Sequence, residues 1–152
     1  MKKPIIGITM GDAAGIGPEI TFKSLMHEDI YKKSNPVVLG DAKVMAKCGK
    51  ICGIENIKIN PIKKLSEAVF KYGIIDVIDY DDIDINRLEY GKLDKMCGEA
   101  AVRYTIEAGK MALANKIDGM VSAPLNKESM RLAGYKYEGQ TEILGELAGS
   151  KS

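Results

Sequence analysis

Three short stretches carry the residue types that ligand binding and catalysis need. The first is Met10-Gly11-Asp12-Ala13-Ala14-Gly15-Ile16-Gly17-Pro18-Glu19-Ile20, in which three glycines and two carboxylates surround a turn leading into a helix. Glycines at a helix amino end leave backbone amides uncovered, and orphan amides together with the helix dipole hold anions. Asp12, Gly15 and Gly17 are therefore candidate members of an anion or ligand loop, although the same residues also suit a tight structural turn. No Gly-Lys-Ser/Thr follows, so the stretch is not a P-loop, and Ile20 stands where a dinucleotide fingerprint requires its third glycine.

The second stretch is Val121-Ser122-Ala123-Pro124-Leu125-Asn126-Lys127-Glu128. Asn126 is suited to cap a helix, and Lys127 beside it offers a point charge to a phosphate or carboxylate, or an acid if its pKa is depressed. Lys127 is the candidate catalytic residue, with a capped helix and a solvated lysine as the plainer reading. The third stretch is Gly139-Gln140-Thr141-Glu142. Gln140 can hydrogen-bond a polar ligand, and Thr141 reads as an N-cap with Glu142 in the first turn.

The elements that must position these stretches alternate between strand and helix, the pattern of an α/β domain with a largely parallel sheet. Strands are expected at Ile5–Met10, Pro36–Leu39, Ile54–Ile59, Ile74–Ile78 and Ile117–Ser122. Helices are expected from about Pro18 to Met26, Ala42 to Cys48 and Gly98 to Asn115, with two short ones after Asn126 and Thr141. Each of the three stretches is expected to follow a strand, and open α/β sheets bind ligands at the carboxyl ends of their strands. In the long helix, Ala101, Thr105, Ala108 and Ala112 form a small-residue face, and Gly109 points to close packing. Asp79, Asp81, Asp82 and Asp84 read as a solvated acidic turn, without the glycine and terminal glutamate of an EF-hand loop.

Composition removes several classes of function. The 152 residues hold 22 Lys plus Arg against 21 Asp plus Glu, a net charge of +1, without the basic excess of a nucleic-acid binder. No apolar run approaches the roughly 18 residues of a membrane span, and the segment after Lys2-Lys3 is too short for a signal-peptide core. A cytoplasmic protein is expected, with no nucleic-acid and no membrane partner. Cys48, Cys52 and Cys97 are an odd set that fits a reducing compartment, and they read as free thiols because no second pair completes a four-ligand zinc site. His27 is the only histidine, so one copy of the chain cannot supply a three-histidine metal centre.

In order and spacing, these stretches resemble the amino-terminal half of the 4-hydroxythreonine-4-phosphate dehydrogenase family, which includes a branch acting on 4-phospho-D-threonate and 4-phospho-D-erythronate. The matching blocks are Ile8-Thr9-Met10-Gly11-Asp12, Gly15-Ile16-Gly17-Pro18-Glu19-Ile20, Gly98-Glu99-Ala100-Ala101, Ser122-Ala123-Pro124-Leu125-Asn126-Lys127-Glu128 and Gly139-Gln140-Thr141-Glu142-Ile143-Leu144. The resemblance implies an α/β fold like that of isocitrate and isopropylmalate dehydrogenases, here its amino-terminal part only, in a homodimer. It implies NAD-dependent oxidation, with decarboxylation, of a phosphorylated hydroxy acid, assisted by a divalent metal (Zn, Mg or Co). Gln140 and Thr141 are then substrate-binding residues. The family's histidine metal ligands fall past Ser152, so no metal ligand is expected in this chain, and the isolated chain is expected to be inactive. Two departures stand out: Gln140 replaces a substrate-contacting histidine, and Ala13 replaces a customary proline. Glutamine can donate and accept hydrogen bonds but cannot carry positive charge. The rival readings are a non-catalytic module that binds phosphorylated hydroxy acids, a half-subunit that assembles with a separate carboxyl-terminal half, and a Rossmann-type enzyme that uses Gly15, Gly17 and Asp41 for NAD.

Overall fold

A computed structural model describes residues 2–150. Five strands, β1 (Ile5–Thr9), β2 (Asn35–Gly40), β3 (Lys58–Ile62), β4 (Ile74–Asp79) and β5 (Gly119–Ser122), form one sheet in the order β3-β4-β2-β1-β5. Every pairing is parallel. Thr9 lies opposite both Leu39 and Ser122, so the carboxyl ends of the three neighbouring strands β2, β1 and β5 are level. This alignment presents the turns that leave β1 and β5 side by side.

The helices are α1 (Gly17–Ser24), α2 (Glu28–Lys33), α3 (Ala42–Ile51), α4 (Lys95–Leu113), α5 (Lys127–Leu132) and α6 (Gln140–Leu147). The sheet interior is apolar because its strands are covered by helices: Val37, Val38, Leu39, Ile75 and Val77 are buried together with Phe22, Met45 and Tyr104. A smaller cluster of Val102, Met130 and Ile143 joins α4, α5 and α6. Glycines permit the closest approaches there. A Cβ on Gly98 would collide with the backbone of Ser129, and one on Gly109 would meet the tips of Leu144 and Leu147, in agreement with the close packing expected at Gly109.

Several boundaries differ from the sequence expectation, each for a local reason. The strand expected at Ile54–Ile59 begins only at Lys58, because Ile54 completes the end of α3: its amide donates to Gly49 and Gly53 takes φ +68°. α4 starts at Lys95 rather than Gly98, since the Asp94 carboxylate accepts from the amides of Met96 and Cys97 at 2.7 and 3.3 Å. Short α2 was not anticipated, and exposed His27 sits at its N-cap position. Thr141 is not a cap: Gly139 holds that position without a side-chain bond, and Thr141 lies inside the first turn of α6.

The acidic turn is only partly solvated. Asp79 accepts from the Ala42 amide at 3.0 Å, and Asp82 accepts from the Tyr104 hydroxyl at 2.6 Å and from Arg103 at 3.0 Å. Burial pushes the Asp82 carboxyl above its ordinary range, against the hydroxyl of Tyr104 and the charge of Arg103. Asp41 is fully buried. One of its oxygens accepts from Lys43 and Val44 amides and the other from the Ile83 amide and the Lys43 ammonium. Its acceptors are therefore committed to the fold, which removes it as a ribose-binding acid in the Rossmann-type reading.

Candidate functional site

The loop leaving β1 is drawn tight by its own side chain. Ala14 donates its amide to Asp12 Oδ1 at 2.8 Å, and Gly15 donates to the Asp12 carbonyl at 3.0 Å. The amides of Ala14 and Gly15 are thus occupied, and the donors left for an anion are those of the first turn of α1. Ile16 is the N-cap residue of that helix and supplies no side-chain cap, and Pro18 in the first turn has no amide to offer. Gly11 has φ +75°, and a Cβ there would strike the Pro124 carbonyl, while one on Gly17 would strike the carbonyl of Met10. Gly11 must be glycine because the two loops touch backbone to backbone, and Gly17 because α1 starts against the backbone of Met10 in its own loop.

The contact is explicit: Asp12 donates its amide to Pro124 at 3.0 Å, and Ala123 donates to Thr9 at 3.1 Å. Between the loops lies a hollow of about 210 Å³, lined by Asp12, Gly15, Ile16, Lys92, Pro124 and Asn126 among others. The segment carrying Lys92 is pinned there by the Gly91 amide, which donates to Ala14 at 2.8 Å. The one lysine on the lining of the hollow is Lys92, a residue the sequence reading passed over, and its exposed ammonium also pairs with Glu89 at 3.4 Å. Lys127 is exposed at the start of α5, outside this lining.

Asp12 is almost wholly buried. Burial raises its pKa, the charge of Asp94 adds to the effect, and the Ala14 amide and Ser129 hydroxyl oppose it. Ser129 also accepts the Asp94 amide at 3.1 Å, and Asn126 caps α5 by accepting the Ser129 amide at 3.0 Å. Asp94 and Ser129, neither singled out from sequence, thus tie the amino ends of α4 and α5 to the β1 loop. The signal available for Asp94 was its N-cap position before an apolar helix; nothing marked Ser129 in advance.

The third loop follows α5 rather than a strand. Gln140 Nε2 donates to the Ala123 carbonyl at 2.8 Å, and this acceptor settles which end of the amide faces it. Gln140 Oε1 is consequently left buried without a donor. Thr141 is exposed on a separate hollow that also carries Glu138, Glu142 and Glu146. Asp12, Gly15 and Gly17 are thus gathered with the β5 loop, Gln140 is tied to that loop, and Thr141 and Lys127 face elsewhere.

The profile of the family described as pyridoxal phosphate biosynthetic protein PdxA matches residues 32–152. The chain belongs to the PdxA family. A Clostridium botulinum protein named as a D-threonate 4-phosphate dehydrogenase is 45% identical over 146 residues, covering 96% of this chain and 43% of the relative. A Fusobacterium nucleatum protein of the same name is 43% identical, with 96% and 44% covered. Among solved structures, a 4-hydroxythreonine-4-phosphate dehydrogenase from Burkholderia phymatum superposes with a TM-score of 0.95 at 43% identity, over 100% of this chain and 46% of that one. That from Klebsiella pneumoniae gives 0.90 at 34% identity, over 98% and 45%. This PdxA-family chain therefore spans about half the length of the relatives it matches, and its homologues are named as dehydrogenases.

The described residues do not by themselves assemble a complete divalent-metal site. Among the described residues no three His, Cys, Asp or Glu side chains converge as ligands, and no described helix is long and apolar enough to cross a membrane.

Proposed function

We propose that this chain supplies the substrate-anion side of a cytoplasmic, homodimeric, NAD-dependent dehydrogenase acting on a phosphorylated hydroxy acid such as D-threonate 4-phosphate or 4-phosphohydroxythreonine. The observation that carries the reading is the meeting of the β1 and β5 loops around one hollow, with the uncapped amino end of α1 and Lys92 beside it. Uncovered amides and an ammonium suit the phosphate or carboxylate of a small ligand. The names borne by the relatives support the substrate class.

On this reading bound NAD would supply the acceptor for the hydride of the secondary alcohol. The part played by these residues is to bind and orient the substrate. The α1 amides and Lys92 hold an anionic group, and the bonds from Asp12 to Pro124 and from Gln140 to Ala123 keep the loops in register. Gln140 and Thr141 are proposed to face the substrate in the assembled enzyme, and Lys127, if any lysine here transfers a proton, does so there. The divalent metal that would polarise the alcohol would be held by groups other than the described residues.

The edge of β5 supports a role as one half of a subunit. Among the described residues β5 pairs only with β1, and Val121 on it is 55% exposed, although strands of all-parallel sheets are usually covered on both faces. A further strand-bearing segment would close that edge.

The test has two parts. Calorimetry with D-threonate 4-phosphate and with inorganic phosphate should give binding heat that Lys92→Ala reduces. NADH formation from D-threonate 4-phosphate or 4-phosphohydroxythreonine, with NAD and Zn²⁺ or Mg²⁺, should be absent for the 152-residue chain alone. Robust turnover by that chain would overturn the division of labour proposed, and the absence of any binding heat would overturn the anion site.

A further inference from the structure

A second hollow, of about 520 Å³, lies on the outer side of α1 and α3 and shares Gly15 and Ile16 with the site described. Its walls include Ile16, Pro18, Ile51 and Tyr90, and its floor carries two thiols, Cys48 and Cys52, neither of which is in a disulfide. Residues four apart on a helix face the same way, with Cβ atoms about 5–6 Å apart. Cys52 is the C-cap residue of α3 and half-buried, so its side chain can turn toward Cys48 without disturbing a helical turn. The Lys23 ammonium stands at the rim, bonded to Glu19 at 2.6 Å.

Paired thiols in an apolar wall suit a narrow class of ligand. Thiolates are soft donors that select soft cations. Among the described residues no third His, Cys, Asp or Glu completes a cluster here, which disfavours tetrahedral zinc and leaves a cation content with two sulfurs. We propose that Cys48 and Cys52 form a two-coordinate site for a soft monovalent cation of the copper(I) class. Binding forms two Cu–S bonds and breaks two S–H bonds, and both protons go to solvent with no change of oxidation state. The product carries one negative charge, beside the Lys23–Glu19 ion pair that also lines the hollow. Burial, with Cys52 next to it, pushes the free Cys48 thiol up to about 12, so that sulfur keeps its proton until a strongly thiophilic cation displaces it.

The experiment is an anaerobic titration of the purified chain with Cu(I) against a chromophoric Cu(I) chelator. One equivalent should transfer to the protein, and X-ray absorption at the copper edge should show sulfur ligands only. Cys52→Ser, half-exposed and so compatible with folding, should weaken binding by more than roughly 100-fold, beyond what loss of an outer-shell group costs. Cys97→Ser, in the core near Asp12 and Asp94, should leave the binding intact provided circular dichroism shows it folded. Retention of copper affinity by Cys52→Ser, or nitrogen and oxygen ligands in the absorption spectrum of the unaltered chain, would overturn the proposal. Neither outcome bears on the phosphate site.

Discussion

The amide of Asp12 donates to the carbonyl of Pro124 across 3.0 Å, and this one bond fastens the loop that leaves β1 to the loop that leaves β5. The remaining features of the hollow depend on that junction: Gly11 must be a glycine beside Pro124, the Asp12 carboxylate turns back to hold Ala14, and Gln140 braces the adjacent Ala123.

Asp12→Ala should destabilise the fold by about 1–3 kcal/mol, because the Ala14 amide and the Ser129 hydroxyl lose their acceptor in a buried place. Urea denaturation measures the change.

Asp12→Asn should also alter the pH dependence of stability. The native carboxyl is raised above 3.8, so the folded state binds the proton more tightly than the unfolded state. Stability from this group is therefore present at low pH and is lost as pH rises through the raised native value. The asparagine variant should show a shallower decline over that acidic window, read from denaturation midpoints at several pH values.

Two glycine substitutions on α4 should differ in cost. Gly98→Ala drives a methyl group into the rigid backbone of Ser129 and should cost at least about 2 kcal/mol. Gly109→Ala meets only the ends of Leu144 and Leu147, which can rotate, and should cost less. Thermal unfolding of the two variants gives the comparison directly, and equal losses would mean that the α4–α6 contact is as rigid as the α4–α5 contact.

Lys92→Ala should weaken phosphate binding roughly tenfold, and Lys127→Ala should change it little in the isolated chain, since only Lys92 lines the hollow. Calorimetry with inorganic phosphate distinguishes them. A larger effect of Lys127→Ala would move the anion to the start of α5.

Val121→Lys should reduce self-association of the isolated chain. The unpaired edge of β5 exposes an apolar side chain beside free strand donors and acceptors, and a charge on an edge strand discourages further pairing. Sedimentation velocity at several concentrations measures the difference.

Much of the fold was legible from local chemistry. The apolar run Ile5–Thr9 and the alternation of strand and helix announced a parallel α/β sheet, and Pro18 and Asn126 marked helix starts at or within a residue of where they occur. The family could also be read there, because blocks such as Gly15-Ile16-Gly17-Pro18-Glu19 keep their order and spacing along the chain. Errors arose where a distant partner decided the outcome. Asp82 looks solvated in a run of aspartates, but the hydroxyl of Tyr104, 22 residues on, draws it inside.

For the candidate site, sequence alone determined which loops contain glycine, amide and carboxylate groups, since those are properties of residue type and immediate neighbours. Only the tertiary structure decided which of those groups share a cavity. Level strand ends bring Asp12 and Gly15 to Pro124 and Asn126, the turn through Gly91 delivers Lys92, and Lys127 and Thr141, at the starts of α5 and α6, fall outside the lining. Such juxtapositions depend on how strands align and helices pack across more than a hundred residues, and the spacing of residues within one loop contains no record of that.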